Sequence, residues 1–330
     1  MHLAIGMIKL DAPNKIWQGD VCVMEFKYIY GPLPSRRLGL SLGVSPIPKK
    51  TCNYSCIYCQ LGKTNRMTNI RQMFYPVKDI ICELDYVLKK NVQFDVITVV
   101  GEGDPTLYSG LGELIGEIHK RTDKPVAVIT NGALLNDLQV QAELSGADIV
   151  LPTLGGYDEE SFKKISRPHK SLKFSEVLRG LEDFSEKYKG QLWIEIMLMK
   201  GINDDDESLN RYKEILKKIK YDKLYLNTPV RPPAKSEVKV VDHEKMNHAA
   251  EILGGISIDL LKSKGFHSEI KDDYAAILSI IKRHPMNQFE IDGFLKARGN
   301  VNTEIIFSKL KNDNTVAVIN QMGYDMYRLQ

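Results

Sequence analysis

The sequence predicts an α/β protein: a partial (β/α)6 TIM-type barrel over residues 1–233, joined by a connecting helical segment over 234–271 to a small winged-helix-like domain over 272–330. Three observations predict it. Short apolar runs of strand length recur about 20 to 45 residues apart, the spacing of β–α crossover units, and such units impose parallel strands with right-handed connections. Between the runs, apolar residues repeat with the helical period instead of the period of two. After Pro232-Pro233 the pattern changes to short helices and two adjoining strands. Periodicity alone leaves an open, doubly wound sheet as the alternative arrangement of the same units.

The strand-like runs are Gly43 to Ile47, Val96 to Val100, Val126 to Ile129, Ile149 to Leu151, Leu192 to Leu198 and Leu224 to Leu226, six in all. Helices fill the gaps. Val77 to Lys90 sets Ile80, Ile81, Leu84, Val87 and Leu88 on one stripe, and Leu111 to Lys120 does the same with Leu114, Ile115 and Ile118. Beyond the barrel, a charged stretch with Lys235, Lys239 and Lys245 leads to a helix around Met246 to Leu253.

In the last segment, Asp272 or Asp273 caps a helix carrying Ala276, Ile277, Ile280 and Ile281, which Pro285 stops. Asn287 and Glu290 have the spacing of a capping box and open a second helix that ends near Gly299. Thr303 to Lys311 forms a third, and the runs Thr315 to Asn320 and Tyr324 to Leu329 flank Gln321-Met322-Gly323. Three helices and a β-hairpin describe a winged helix, whose third helix enters the groove in nucleic-acid readers. Seven Lys/Arg against five Asp/Glu from Ala275 onward do not select that role over protein docking or packing on the neighbouring domain.

At 330 residues, 43% hydrophobic and 26% charged, the composition is that of a globular chain with room for a large domain and a small one. No apolar run approaches the ~18 residues of a spanning helix, and Met1 to Gly6 lacks a basic leader, so no membrane partner is expected. Five cysteines, an odd number with three clustered, point to metal ligands in a reducing compartment, and the cytoplasm is the expected location. The net charge of +3 permits a nucleic-acid partner without requiring one.

Cys52-Asn53-Tyr54-Ser55-Cys56-Ile57-Tyr58-Cys59 is the most informative string. Its C-x3-C-x2-C spacing can grip an iron–sulfur cube, which normally takes four thiolates, and leave one iron open in the manner of a catalytic metal site. On this reading Cys52, Cys56 and Cys59 are both the expected metal ligands and the expected catalytic centre. The competing reading of the triplet alone is a zinc knuckle completed by a distant histidine; Cys22 and Cys82 are isolated and supply no second pair.

Ligands of parallel α/β architectures sit at the carboxyl ends of the strands. The second strand runs into Gly101-Glu102-Gly103-Asp104, where two glycines allow close backbone approach beside a carboxylate. Thr130 and Asn131 follow the third strand, and Pro152 to Tyr157 the fourth. On the fifth, Trp193, Glu195, Met197 and Met199 share one face, and Glu195 is read as facing the ligand cavity, with a structural salt bridge as its alternative. Asn227 closes the sixth strand ahead of Arg231-Pro232-Pro233. Arg36, Arg37, Lys49, Lys50, Arg167, His169 and Arg231 fall in loops near the same rim, where they suit a phosphate-bearing or acidic substrate.

The cysteine string, with an aromatic before its last cysteine, resembles the radical SAM superfamily. With Tyr30-Gly31-Pro32-Leu33-Pro34-Ser35-Arg36-Arg37, Gly101 to Leu107, Arg167-Pro168-His169, Gly201 to Asp204 and Asn227 to Pro233, the chain resembles the wyosine-synthetase-related group of that superfamily. The resemblance implies a [4Fe–4S] cluster on the three cysteines and S-adenosylmethionine (SAM) chelated by the open iron. It implies an electron donor such as a flavodoxin or ferredoxin, cleavage of SAM to a 5′-deoxyadenosyl radical, and hydrogen abstraction from a substrate, a tRNA base in those members of the group whose function is known, while many members have no assigned reaction. It places Tyr58 near the adenine, Gly101, Glu102, Gly103 and Asp104 at the SAM ammonium, Thr130 and Asn131 at its carboxylate or ribose, Glu195 and Met197 on the SAM cavity, and Asn227 beside the adenine. A small metabolite or peptide substrate, or a sensing role without turnover, are the alternatives. The chain departs from the wyosine enzyme in having only Cys22 upstream where a second cluster is expected. It also has Gly155-Gly156 where relatives place Asp-Ala, which removes a carboxylate from the expected active centre.

Overall fold

The computed structural model describes residues 15–18, 21–24, 26–258, 265–266, 268, 270–300, 302–321 and 324–330. Met1 to Gly6, and Met322 and Gly323 of the expected turn, lie outside the described residues. A short hairpin, β1 (Lys15–Gln18) and β2 (Val21–Met24), precedes the main sheet.

The sheet is built from β3 (Ile29–Ser35), β4 (Gly39–Val44), β7 (Val96–Val99), β8 (Val126–Thr130), β9 (Ile149–Pro152), β10 (Gln191–Met197), β11 (Lys223–Asn227) and β12 (Ile256–Ser257). Between β4 and β7 the cysteine region contributes a separate two-stranded pair, β5 (Thr51–Cys52) and β6 (Arg66–Met67). Spatial order in the main sheet follows chain order from β3 to β12, all pairs being parallel except β3 with β4. A doubly wound sheet reverses strand order at a switch point, whereas this order never reverses, so the units wind one way as in part of a barrel.

Side chains sort with the period of two that a strand imposes. Ile97, Val99, Val126, Val128, Val150 and Ile194 pack into one core with the helices, while Val96, Ala127, Leu151, Trp193 and Tyr225 pack into another on the opposite face. The helices on the first face are α1 (Val77–Leu88), α2 (Leu111–His119), α3 (Leu138–Leu144), α4 (Glu159–Ile165), α5 (Phe174–Lys187), α6 (Asp206–Leu216) and α7 (His243–Leu253). The expected stripe on α1 is buried at Ile80, Ile81, Leu84 and Val87. Aspartates fix several starts: Asp137, Asp158, Asp205 and Asp242 each accept a backbone N–H in the first turn of the helix they precede.

Two edges differ from expectation. The sheet begins earlier than the expected first strand at Gly43 to Ile47, because β3 precedes β4 on the edge; prolines are tolerated on an edge strand, and the register shifts between Tyr30 and Leu33. It also continues past residue 233, where β12 adds a seventh parallel strand inside the segment expected to be only helical.

The C-terminal module holds α8 (Asp273–Ile281), β13 (Met286–Asn287), α9 (Gln288–Ala297), α10 (Thr303–Asn312), β14 (Val316–Gln321) and β15 (Tyr324–Leu329). Its strands form an antiparallel sheet in the order β13-β15-β14. Asp272 caps α8, and Asn287 with Glu290 makes the capping box of α9. Leu33 of the edge strand β3 joins the module's core of Ile277, Ile281, Phe294, Leu295 and Tyr327. Among the described residues, no helix is long and apolar enough to cross a membrane.

Candidate active site

Backbone hydrogen bonds tie the cysteine loop to its neighbours, and the Thr64 hydroxyl adds a side-chain bond to the Tyr54 carbonyl at 2.6 Å. Ser55 N–H donates to the Ser166 and Arg167 carbonyls (3.1 and 3.2 Å), Ile57 N–H to Ile165 (3.0 Å), and Cys52 O accepts from Thr68 (3.1 Å). Gly103 packs so tightly that a Cβ there would overlap the Thr51 carbonyl oxygen. Lys50 N–H donates to the Glu102 carbonyl at 2.6 Å. The strand end carrying Glu102 and Gly103 thus fixes where the first cysteine sits.

A cavity of about 680 Å³ opens at the carboxyl ends of the strands, and Cys52, Cys56, Tyr58, Cys59, Gly101, Glu102, Gly103, Asp104, Thr130, Asn131, Glu195, Met197 and Asn227 all line it. Buried Asp104 organises one wall: its carboxylate accepts from Thr106 N–H (2.9 Å), Thr130 Oγ1 (2.9 Å) and Asn131 N–H (2.6 Å). Burial raises its pKa and these hydrogen bonds partly offset the rise. Asn131 Nδ2 in turn donates to Asn53 Oδ1 at 2.6 Å and reaches Cys52 Sγ at 3.5 Å. Burial pushes the Cys52 thiol up to about 12 and raises Cys56 and Cys59 as well.

Glu195 lines the cavity and is ion-paired to Arg37. Arg36, Lys50 and Arg231 also line it. Lys49, Arg167 and His169, the other basic residues expected at the rim, do not. Lys49 Nζ donates to the Gln330 carbonyl at 2.9 Å, and His169 braces the cysteine loop through its N–H to Asn53 O (2.7 Å) while its ring meets Ser171. Gly155 and Gly156 are likewise away from the cavity: a side chain there would strike Ser166 or the α4 backbone at Phe162, so helix packing accounts for both glycines.

Sequence reasoning missed the contribution of the turn between α8 and α9. Arg283, His284, Asn287 and Glu290 line the same cavity. Arg231 forks onto Glu290 at 2.9 and 3.0 Å and also meets the Pro285 carbonyl. Arg283 stands 3.7 Å from Glu102, lies over the Tyr30 ring, and donates to Lys27 O at 2.9 Å. Gln60, beside the last cysteine, donates to the Arg283 carbonyl at 3.4 Å. The available signal was the loop position of Arg231; its partner is 59 residues away in sequence.

A model of the Radical SAM superfamily matches residues 47–212 of this chain. The chain belongs to the radical SAM superfamily. It is an enzyme, and its cofactors are a [4Fe–4S] cluster and SAM. It is 35% identical over 309 residues to a UPF0026 protein of Methanocaldococcus jannaschii, across 90% of this chain and 94% of that one. It is 38% identical over 269 residues to a Brachyspira hyodysenteriae protein named GTPase Obg, across 79% of this chain but 39% of that protein's length. A radical SAM methyltransferase from Sphaerobacter thermophilus superposes with a TM-score of 0.52 at 14% identity over 67% of each chain, a likeness of fold.

The residues fit both cofactors. Three thiols line one cavity from a single loop, and Glu102 Oε1 is buried in the same wall without a hydrogen-bond partner, suited to receive an ammonium. Among the described residues, no three His, Cys, Asp or Glu side chains converge on a point for a single metal ion. A cube needs no such convergence, since each thiolate binds a different iron.

Proposed function

We propose that Cys52, Cys56 and Cys59 hold the cluster with one iron left for SAM, and that the enzyme abstracts hydrogen from a phosphate-bearing substrate, a tRNA base being the first candidate. The observation that carries this reading is the meeting of the three thiols and the unpartnered Glu102 oxygen in one cavity. When bound, the cluster and SAM supply one-electron cleavage of a sulfonium and hydrogen abstraction, with the electron coming from a donor such as a flavodoxin or ferredoxin.

The chain's own residues bind, orient and enclose. Glu102 receives the SAM ammonium, and Asp104 orders Thr130 and Asn131 for its carboxylate or ribose. Asn131 also donates toward Cys52 Sγ, which favours the thiolate. Tyr58 and the Asn227 backbone flank the adenine. The Arg37–Glu195 pair neutralises a carboxylate in the barrel interior, and Met197 keeps that face apolar. Enclosure by the barrel and the C-terminal module limits water access to a reactive intermediate.

The order of helices and strands in the C-terminal module, with β13 pairing at the outer edge of the hairpin, supports reading it as a winged helix. The quoted motifs support placement in the wyosine-synthetase-related group, and both features favour tRNA over a peptide. The test is anaerobic reconstitution with iron and sulfide, then reductant and SAM, with 5′-deoxyadenosine as the readout. The wild type forms it and Cys56→Ala does not; product from both proteins overturns the reading. Total tRNA accelerates SAM consumption if the substrate class is right.

A further inference from the structure

Glu102 has a charged neighbour from outside the barrel. Its Oε1 has no hydrogen-bond partner, and among the described residues its Oε2 has one charged contact within 4 Å, the Nε of Arg283 at 3.7 Å. Both side chains are buried, at 7% and 4% exposure, and Arg283 Nε is itself without a hydrogen-bond partner. Both residues line the cavity.

Arg283 is anchored on every other side. Its backbone N–H donates to the Ile280 carbonyl at the end of α8 (3.1 Å), and its Nη2 donates to the Lys27 carbonyl (2.9 Å). The guanidinium lies 4.8 Å from the centre of the Tyr30 ring on β3, and the Tyr30 hydroxyl reaches the carbonyl of Val100, two residues before Glu102, at 3.5 Å. Gln60 of the cysteine loop donates to the Arg283 carbonyl at 3.4 Å. A planar guanidinium held at one nitrogen and over one ring has little freedom left, so its Nε meets Glu102 from a fixed direction.

We infer that Arg283 is a positioning residue, through which the C-terminal module holds Glu102 by Oε2 and leaves Oε1 free for the SAM ammonium. The inference rests on the function proposed above, and it makes the SAM site depend on a module outside the barrel. A buried carboxylate with neither cation nor hydrogen bond is costly in its charged form, and a neutral carboxyl receives an ammonium poorly. Arg283 supplies the compensating charge. At 3.7 Å it stands beyond hydrogen-bond reach, so it offsets the burial without occupying the acceptor sites that an ammonium needs.

The test is equilibrium dialysis of SAM and of 5′-methylthioadenosine against the reconstituted full-length protein at pH 7. The second ligand keeps the nucleoside and the sulfur but lacks the ammonium-bearing chain. Arg283→Gln and Arg283→Met each weaken SAM by at least about tenfold and 5′-methylthioadenosine by less than about twofold. Arg283→Met keeps apolar volume over the Tyr30 ring and carries the test if Arg283→Gln does not fold. Glu102→Gln weakens SAM to a similar degree, and adding Arg283→Gln to it costs no more than about twofold further, since the two residues act as one unit. Wild-type SAM affinity in the Arg283 variants, equal losses for the two ligands, or a full second loss in the double variant overturns the positioning role. Unchanged SAM affinity in Glu102→Gln overturns the reading of Glu102 and this inference with it. A Glu102→Gln loss with no effect of Arg283 overturns this inference alone.

Discussion

The cysteine loop and the α8–α9 turn line one cavity, yet different forces hold them. Around the cysteines the anchors are backbone hydrogen bonds from Ser55, Ile57 and Thr68 with uncharged side-chain bonds from Thr64 and Asn131, closed by a glycine with no room for a side chain. Around the turn the anchors are side chains: the Arg231–Glu290 fork, Arg283 beside Glu102 and on the Lys27 carbonyl, and Gln60 on the Arg283 carbonyl. A backbone-anchored loop is insensitive to most single side-chain changes, whereas an ion-paired turn responds to salt and to loss of one charge. The first arrangement suits a rigid metal site. The second lets that end of the same cavity be adjusted by point mutation.

Breaking the backbone anchor has the largest effect. Gly103→Ala forces the Thr51 carbonyl and the first cysteine to move, and iron content after reconstitution falls to the level of Cys56→Ala. Normal iron loading in Gly103→Ala would show that the loop is not fixed from this side.

Glu83 is an anchor of an intermediate kind, a buried carboxylate accepting the Tyr28 N–H at 2.7 Å beside the carbonyl that Arg283 uses. Burial raises its pKa from 4.5 to about 7. The folded protein therefore holds this proton more tightly than the unfolded chain, and stability from this group is full below pH 4.5 and lost as the pH rises through 7. Glu83→Gln, which keeps the acceptor, stabilises the protein at pH 8 by roughly 1–3 kcal/mol in urea unfolding and has little effect at pH 4. A pH-independent difference contradicts the assignment.

Removing the charge anchor is milder. Arg231 and Glu290 keep side-chain exposures of 16% and 27%, so solvent screens them, and Arg231→Gln costs roughly 1–2 kcal/mol. A double-mutant cycle with Glu290→Gln gives a coupling energy that shrinks with added salt; zero coupling removes the contrast between the two anchors. Asn287→Ala, which deletes the α9 cap, is smaller still at about 1 kcal/mol and leaves iron loading unchanged.

Local chemistry was legible in the sequence, and long-range pairing was not. The cysteine spacing, the Gly101 to Asp104 strand end, the α1 stripe and the Asn287–Glu290 box each declare themselves within a dozen residues. Strand β3 carries Gly31, Pro32 and Pro34, residues with no strand signal of their own, and only its edge position makes them acceptable. β12 is too short for any period to register. The placement of Arg283 depends on a carbonyl 256 residues earlier, which no local pattern can announce.

Strand order that follows chain order also has a temporal side. Each new β–α unit joins the growing edge, so a chain emerging from the ribosome can complete the loop of Cys52 to Cys59 and its neighbours early. Arg283 to Glu290, which wall the cavity, follow every strand of the main sheet in the chain. Until those residues are made that wall of the cavity is missing, an interval in which iron and sulfide have a wider path to the three thiols.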